Sequence, residues 1–107
     1  MKFEVELTEK ADRDLRNIFL YIAVDLSAPE NAERQINRLC DAILSLDELP
    51  ERYRRYEDEP WYSRGMRVLP IDNFVILYIP YLEEKVVRIV TCLLYTSDAA
   101  DELDGVD

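Results

Sequence analysis

Polar and apolar positions alternate at the start of the chain and then change period. Phe3, Val5 and Leu7 fall on one face of a strand over Lys2–Leu7, with Lys2, Glu4 and Glu6 on the other. Thr8 is a good helix N-cap, and Ala11, Leu15, Ile18, Phe19, Ile22 and Leu26 follow at helical spacing, predicting a helix over 9–26. Ser27-Ala28-Pro29-Glu30 interrupts this pattern, and Pro29 suits the first turn of a second helix. Ala32, Ile36, Leu39, Cys40, Ile43 and Leu46 form its apolar stripe, which Pro50 ends. The short link makes the two helices an antiparallel hairpin.

The stretch Glu51–Ser63 has no period and reads as a loop. Strands are then expected at Gly65–Leu69, Asn73–Ile79 and Lys85–Thr91, joined by Pro70-Ile71-Asp72-Asn73 and by Pro80-Tyr81-Leu82-Glu83-Glu84. Phe74-Val75-Ile76-Leu77-Tyr78-Ile79 is apolar on both faces and should lie inside the sheet. The expected fold class is α+β, in the order β-α-α-β-β-β, with the helical hairpin packed on a mainly antiparallel four-stranded sheet.

Composition narrows the chemistry. The chain has 107 residues, enough for one modest core. No apolar run is long enough to span a membrane, and the N-terminus lacks a signal-peptide core, so a cytoplasmic protein is expected. Cys40 and Cys92 make no disulfide framework, and Cys40 reads as a small hydrophobe on or beside its helix's apolar stripe. The absence of histidine removes His-based triads, His proton shuttles and most zinc sites, and no metal or other cofactor is implied. Any catalysis would fall to Arg, Lys, Asp, Glu or Tyr.

The net charge of −10 argues against a nucleic-acid partner until its distribution is considered. Residues 1–91 hold all 13 basic residues and 18 of the 23 acids, a net of −5. The rest of the acidity lies at Asp98, Asp101, Glu102, Asp104 and Asp107. From Cys92-Leu93-Leu94-Tyr95-Thr96-Ser97-Asp98-Ala99-Ala100-Asp101 the string resembles the translation of a transposase-type sequencing-library adapter. It keeps frame across the variable index to Gly105-Val106-Asp107. The expectation is a domain over 1–91 followed by a non-native tail over 92–107. Cys92–Thr96 could extend the last strand, and Ser97 onward should be solvated and poorly ordered.

Residues 1–91 resemble the RelE/ParE family of type II toxins, also called plasmid stabilisation proteins. The resemblance rests on Val5-Glu6-Leu7-Thr8-Glu9-Lys10-Ala11, Asp14-Leu15, Ile18-Phe19-Leu20-Tyr21-Ile22 and Pro29-Glu30-Asn31-Ala32. It continues through Ile43-Leu44-Ser45-Leu46, Leu49-Pro50-Glu51-Arg52-Tyr53, Ser63-Arg64-Gly65-Met66-Arg67-Val68 and Asn73-Phe74-Val75-Ile76-Leu77-Tyr78. It implies a toxin bound by a cognate antitoxin. The toxic action it implies is either metal-free cleavage of mRNA on the ribosome or non-enzymatic inhibition of DNA gyrase.

For RNA cleavage, Arg67 and Arg64 are the candidate phosphate stabilisers, with Arg52, Arg55, Trp61 and Arg88 as candidate target-binding residues. A planar guanidinium pairs with phosphate oxygens, and aromatic rings stack on exposed bases. The same loop arginines lie among Glu51, Glu57, Asp58 and Glu59, so a solvated, locally paired loop is an equal reading, and Trp61 could simply close the core. Two departures count against cleavage. Val75 stands where RNA-cutting relatives carry Arg after the third-strand aromatic, and their C-terminal catalytic segment falls where the adapter-like string begins. Weak or absent toxicity is therefore expected of the chain as it stands. An inactive member that engages only the antitoxin is the remaining reading.

Overall fold

The computed structural model describes residues 2–94. β1 (Glu4–Leu7) leads into α1 (Glu9–Leu20), and α2 (Pro29–Leu44) follows. β2 (Arg67–Ile71), β3 (Phe74–Tyr81) and β4 (Val86–Leu94) complete the sheet. The expected α+β order is present. The strands lie in the order β1-β4-β3-β2, with β1 parallel to β4 and the other pairs antiparallel.

Thr8 starts α1 and also ties it to the sheet. Its hydroxyl accepts from the Ala11 amide at 3.1 Å and lies 2.9 Å from the carbonyls of both Ile89 and Val90. The helix that hydrophobic spacing extends to 26 changes hydrogen bonding at Tyr21. Over Tyr21–Asp25 the backbone widens into a π-type turn, closed by the Leu26 amide on the Tyr21 carbonyl at 3.1 Å. Pro29 occupies the first turn of α2 as its fixed φ predicts. That helix ends at Leu44 rather than near Leu49, passing into a 3-10 turn over Ser45–Asp47.

β2 runs further than the sequence suggests. Pro70 and Ile71 pair with Val75 and Phe74, leaving Asp72-Asn73 as a tight turn in which Asp72 takes a positive φ of 54°. β2 is an edge strand of the sheet, where proline is tolerated. Part of its outer edge is covered by the 54–56 segment. Arg55 bridges Arg67, the Val68 amide donates to the Arg54 carbonyl, and the Tyr56 amide to that of Met66.

Both faces of the sheet are covered, as the doubly apolar β3 requires. Against one face α1 and α2 place Ala11, Leu15, Leu39 and Ile43 on Ile76, Tyr78, Val87 and Ile89. On the other face the 51–66 connection folds back, and Trp61 and Met66 seal Val68, Val75, Leu77, Ile79, Val90 and Leu93. The connection is thus a second cover, although its sequence has no period.

β4 continues past Thr91 through Cys92, Leu93 and Leu94, which pair with Ile76, Val75 and Phe74. Cys92 and Leu93 are buried. β4 is described as far as Leu94; Tyr95 and Thr96, the rest of the expected extension, and the acidic segment lie outside the described residues. Among the described residues no helix is long and apolar enough to cross a membrane.

Candidate functional site

The arginines expected to form one basic surface divide into three groups. Arg67 stands on β2, on the helix-facing side, with little side-chain exposure. Its guanidinium donates to the carbonyls of Glu51 at 3.1 Å and Tyr53 at 2.7 Å, and lies 3.5 Å from the Glu51 carboxylate. Arg52 reaches the carbonyls of Ser45, Glu48 and Leu49 and the Ser45 hydroxyl, and covers the Tyr53 ring at 4.7 Å. These two residues clamp one segment of backbone.

Arg55 and Arg64 belong to the second cover. Arg55 donates to the Tyr62 carbonyl and lies 4.1 Å from the centre of its ring. Arg64 lies 5.0 Å from the Trp61 ring, and Trp61 itself is only 7% exposed. With its indole in the core, Trp61 presents little face for stacking on a base. Arg88 is separate, on β4, between the Tyr81 ring at 5.1 Å and the Glu6 carboxylate at 3.5 Å. Val75, at the position after Phe74, is buried under the second cover.

The structure assembles two surface grooves that the residue pattern does not single out. One is apolar. Leu7, Leu15, Phe19, Leu20, Ile36 and Cys40 line a cavity of about 520 Å³ between the helices and the β1 edge, with Asp12 and Arg16 at its rim. Burial and the neighbouring Asp41 raise the Cys40 thiol above its ordinary value, away from reactive thiolate. The exposed ends of the α1 stripe are legible as apolar positions, but which of them the core leaves uncovered is a tertiary property.

The second groove, about 490 Å³, lies where the π-type turn, α2 and the β2–β3 turn meet. Ile22, Leu26, Phe74 and Leu94 give it an apolar lining, and Asn31, Arg34, Gln35 and Arg38 add polar groups. Arg38 grips Asp72 with two hydrogen bonds, at 2.7 and 2.9 Å, and Gln35 adds a third at 3.0 Å. These bonds hold the Asp72 carboxyl below its ordinary range, chiefly through Arg38. The i, i+4 spacing of Arg34 and Arg38 was the available signal for this groove.

Known structures share this architecture. The chromosomal ParDE toxin–antitoxin system of P. aeruginosa superposes with a TM-score of 0.74 at 20% identity, covering 89% of this chain and 98% of the other. The RelBE2 toxin–antitoxin complex of Mycobacterium tuberculosis gives 0.67 at 18% identity, covering 89% and 100%. A doubly substituted E. coli toxin RelE in the free state gives 0.66 at 13%, covering 99% and 94%. No curated protein sequence matches the chain significantly. The fold is therefore that of the RelE/ParE toxins. The profile of the ParE toxin of the type II toxin–antitoxin system parDE matches residues 5–103, and the chain belongs to that family.

Proposed function

We propose that this toxin acts by binding its target rather than by cutting RNA, that the target is DNA gyrase, and that a cognate antitoxin covers the toxin until it is released. The observation that carries this reading is the state of the candidate phosphate binders. Arg67, the leading one, directs its fork at two backbone carbonyls and a carboxylate of its own chain. Arg52 and Arg55 are likewise turned onto carbonyls. A catalytic guanidinium must instead face the space where charge develops on the phosphate. Val75, buried in place of a third-strand arginine, supports the same conclusion.

The antitoxin assignment draws on family membership and on the apolar groove beside α1, whose exposed Leu7, Phe19 and Leu20 suit a covering protein segment. Cytoplasmic action follows from targets of this kind.

The test uses purified protein whose C-terminal segment has been restored from the uninterrupted gene, in two parallel assays, DNA supercoiling by gyrase and primer extension on mRNA in a translating extract. Loss of supercoiling with intact mRNA is expected. Codon-register cleavage of the mRNA with unaffected gyrase would overturn the proposal in favour of the ribosome-dependent nuclease. A chain inert in both assays that still binds the antitoxin would make it the inactive member.

A further inference from the structure

Leu94, at the end of β4, is 53% exposed and lines the groove of about 490 Å³ where the π-type turn, α2 and the β2–β3 turn meet. Residues 95–107 are thus attached at the wall of that groove. Their charge is one-sided: Asp98, Asp101, Glu102, Asp104 and Asp107, with no lysine or arginine. Asp98 follows Leu94 by four residues, at most about 14 Å along an extended chain, which is enough to cross a groove of this size. A segment tethered so close is present at about millimolar effective concentration, however dilute the protein.

The lining of this groove complements that charge. Arg34 and Arg38 stand in it against one acid, Asp72. Arg38 directs Nε and one Nη onto Asp72, and its other Nη has no partner among the described residues. Arg34 donates to the Asn31 side chain at 3.0 Å and makes no ion pair among the described residues. The other charges on the turn and on α2 are all acids that lie outside the lining: Asp25, Glu30, Glu33 and Asp41. They repel an acidic segment from the rest of that surface and leave it the arginine side of the groove. The apolar groove beside α1 offers no such excess, because its Arg16 already pairs with Asp12 at 3.2 Å.

We propose that residues 95–107 fold back over this groove and place their acids on Arg34 and Arg38, so that the chain covers its own groove. The contact follows from charge and point of attachment and does not depend on the origin of the segment. Ser97 onward, expected from the sequence to be solvated, is held at the surface by these pairs. Exposed ion pairs add little stability, so the cover shows in position and salt response rather than in unfolding. It closes the groove to a segment of another protein until the tether is displaced, whichever target the toxin has.

The test compares the full chain with Asp98→Asn/Asp101→Asn/Glu102→Gln, a variant of equal length in which every groove residue is kept. The readout is NMR at low salt of the Arg34 and Arg38 Nε–H groups and of the Gln35 and Asn73 side-chain amides. Shift differences confined to the groove are expected, and they should vanish at about 0.5 M salt, where screening is short-ranged. They should also shrink in an Arg34→Glu background, which circular dichroism should show to be folded. A synthetic peptide of residues 95–107 should move the same resonances in a chain ended after Leu94. The full chain should need about tenfold more peptide or beyond, because its own segment competes. Identical groove resonances in the full chain and the neutralised variant, or differences that salt leaves unchanged, would overturn the proposal. So would differences centred on Arg55, Arg64 and Trp61, which would assign the segment to the second cover. Differences that grow with protein concentration would assign it to a second copy of the chain and overturn the proposal as well.

Discussion

The Tyr78 hydroxyl, at the centre of the sheet, donates a 2.6 Å hydrogen bond to the carbonyl of Pro50. Tyr78 is fully buried, and the bond joins β3 to the segment that follows α2. Tyr78→Phe should preserve packing while leaving that carbonyl without its donor. The expected cost is about 1–2 kcal/mol, read as a lower urea midpoint with an unchanged denaturation slope. A midpoint equal to that of the parent would show that water replaces the hydroxyl at no cost.

Alkaline pH should destabilise the fold. Burial, reinforced by the neighbouring Asp14 and Cys40, pushes the Cys92 thiol from its ordinary 9.0 up to about 12. Burial also raises the Tyr78 phenol well above its ordinary 10.0, against the opposing pull of Arg67 and Arg52. In the unfolded chain both groups ionise at their ordinary values, so the folded state holds more protons above about pH 9. Stability is then fully present below that pH and falls as pH rises, by about 1.4 kcal/mol per pH unit for each group in its window. Urea melts across this range should show the decline. Cys92→Ala should remove its first part and Tyr78→Phe the part above pH 10. A flat profile in the parent would contradict the burial argument.

The scaffold was largely legible because its signals are local. Thr8 before an amphipathic run, Pro29 at a helix start and a doubly apolar β3 each act within a few residues. The π-type turn at Tyr21–Asp25 keeps the helical apolar spacing, so periodicity cannot reveal it. The second cover was hidden for a different reason. Trp61 and Met66 pack on Val75 and Leu77 through a path of turns that has no period to read. The candidate site was least legible. Arg52, Arg55 and Arg67 are recognisable as basic, but their direction onto backbone carbonyls is a tertiary fact. Arg34 and Arg38 share a helix face by their spacing, but basic residues on a solvated helix face do not by themselves mark a groove.

Arg67 offers a direct contest between scaffold and catalyst. Arg67→Lys keeps the charge but loses the planar fork that serves the Glu51 and Tyr53 carbonyls. A scaffold role predicts a loss of about 1–2 kcal/mol in urea unfolding, with gyrase inhibition retained wherever the protein remains folded. A phosphate-stabilising role predicts the reverse: near-parent stability and lost mRNA cleavage. Measuring stability and both activities on one preparation separates the two.

The Arg38–Asp72 pair should be visible by titration. Arg38 and Gln35 hold the Asp72 carboxylate, so its midpoint should lie below the ordinary 3.8 and rise toward it in Arg38→Ala. Because the folded value is depressed, the pair's contribution is present above the ordinary value and is lost as pH falls through the folded one. The pair is exposed, so salt should weaken the effect. Carboxyl-carbon NMR of the Asp72 resonance in both proteins is the measurement. Identical midpoints would mean that the two side chains do not hold each other in solution.

The boundary at residue 91 makes a sharper prediction once β4 is seen whole. The non-native origin we infer for 92–107 concerns the source of the segment, whereas folding depends on what it packs against. Cys92 and Leu93 are buried, one in each core, and their strand pairs with Ile76 and Val75. The Thr91 hydroxyl donates to Asp14, which also lies 3.4 Å from the Cys92 amide. Ending the chain after Leu94 keeps all of these contacts and should leave stability close to that of the full chain. Ending it after Thr91 removes two buried side chains, at about 1.5–3 kcal/mol for a fully buried leucine-sized group, and three pairs of the β3–β4 ladder. Thermal unfolding of the two truncations should therefore differ widely, with the shorter form melting far lower or not folding. If both melt like the parent, Cys92–Leu94 are dispensable and the folded domain ends at Thr91.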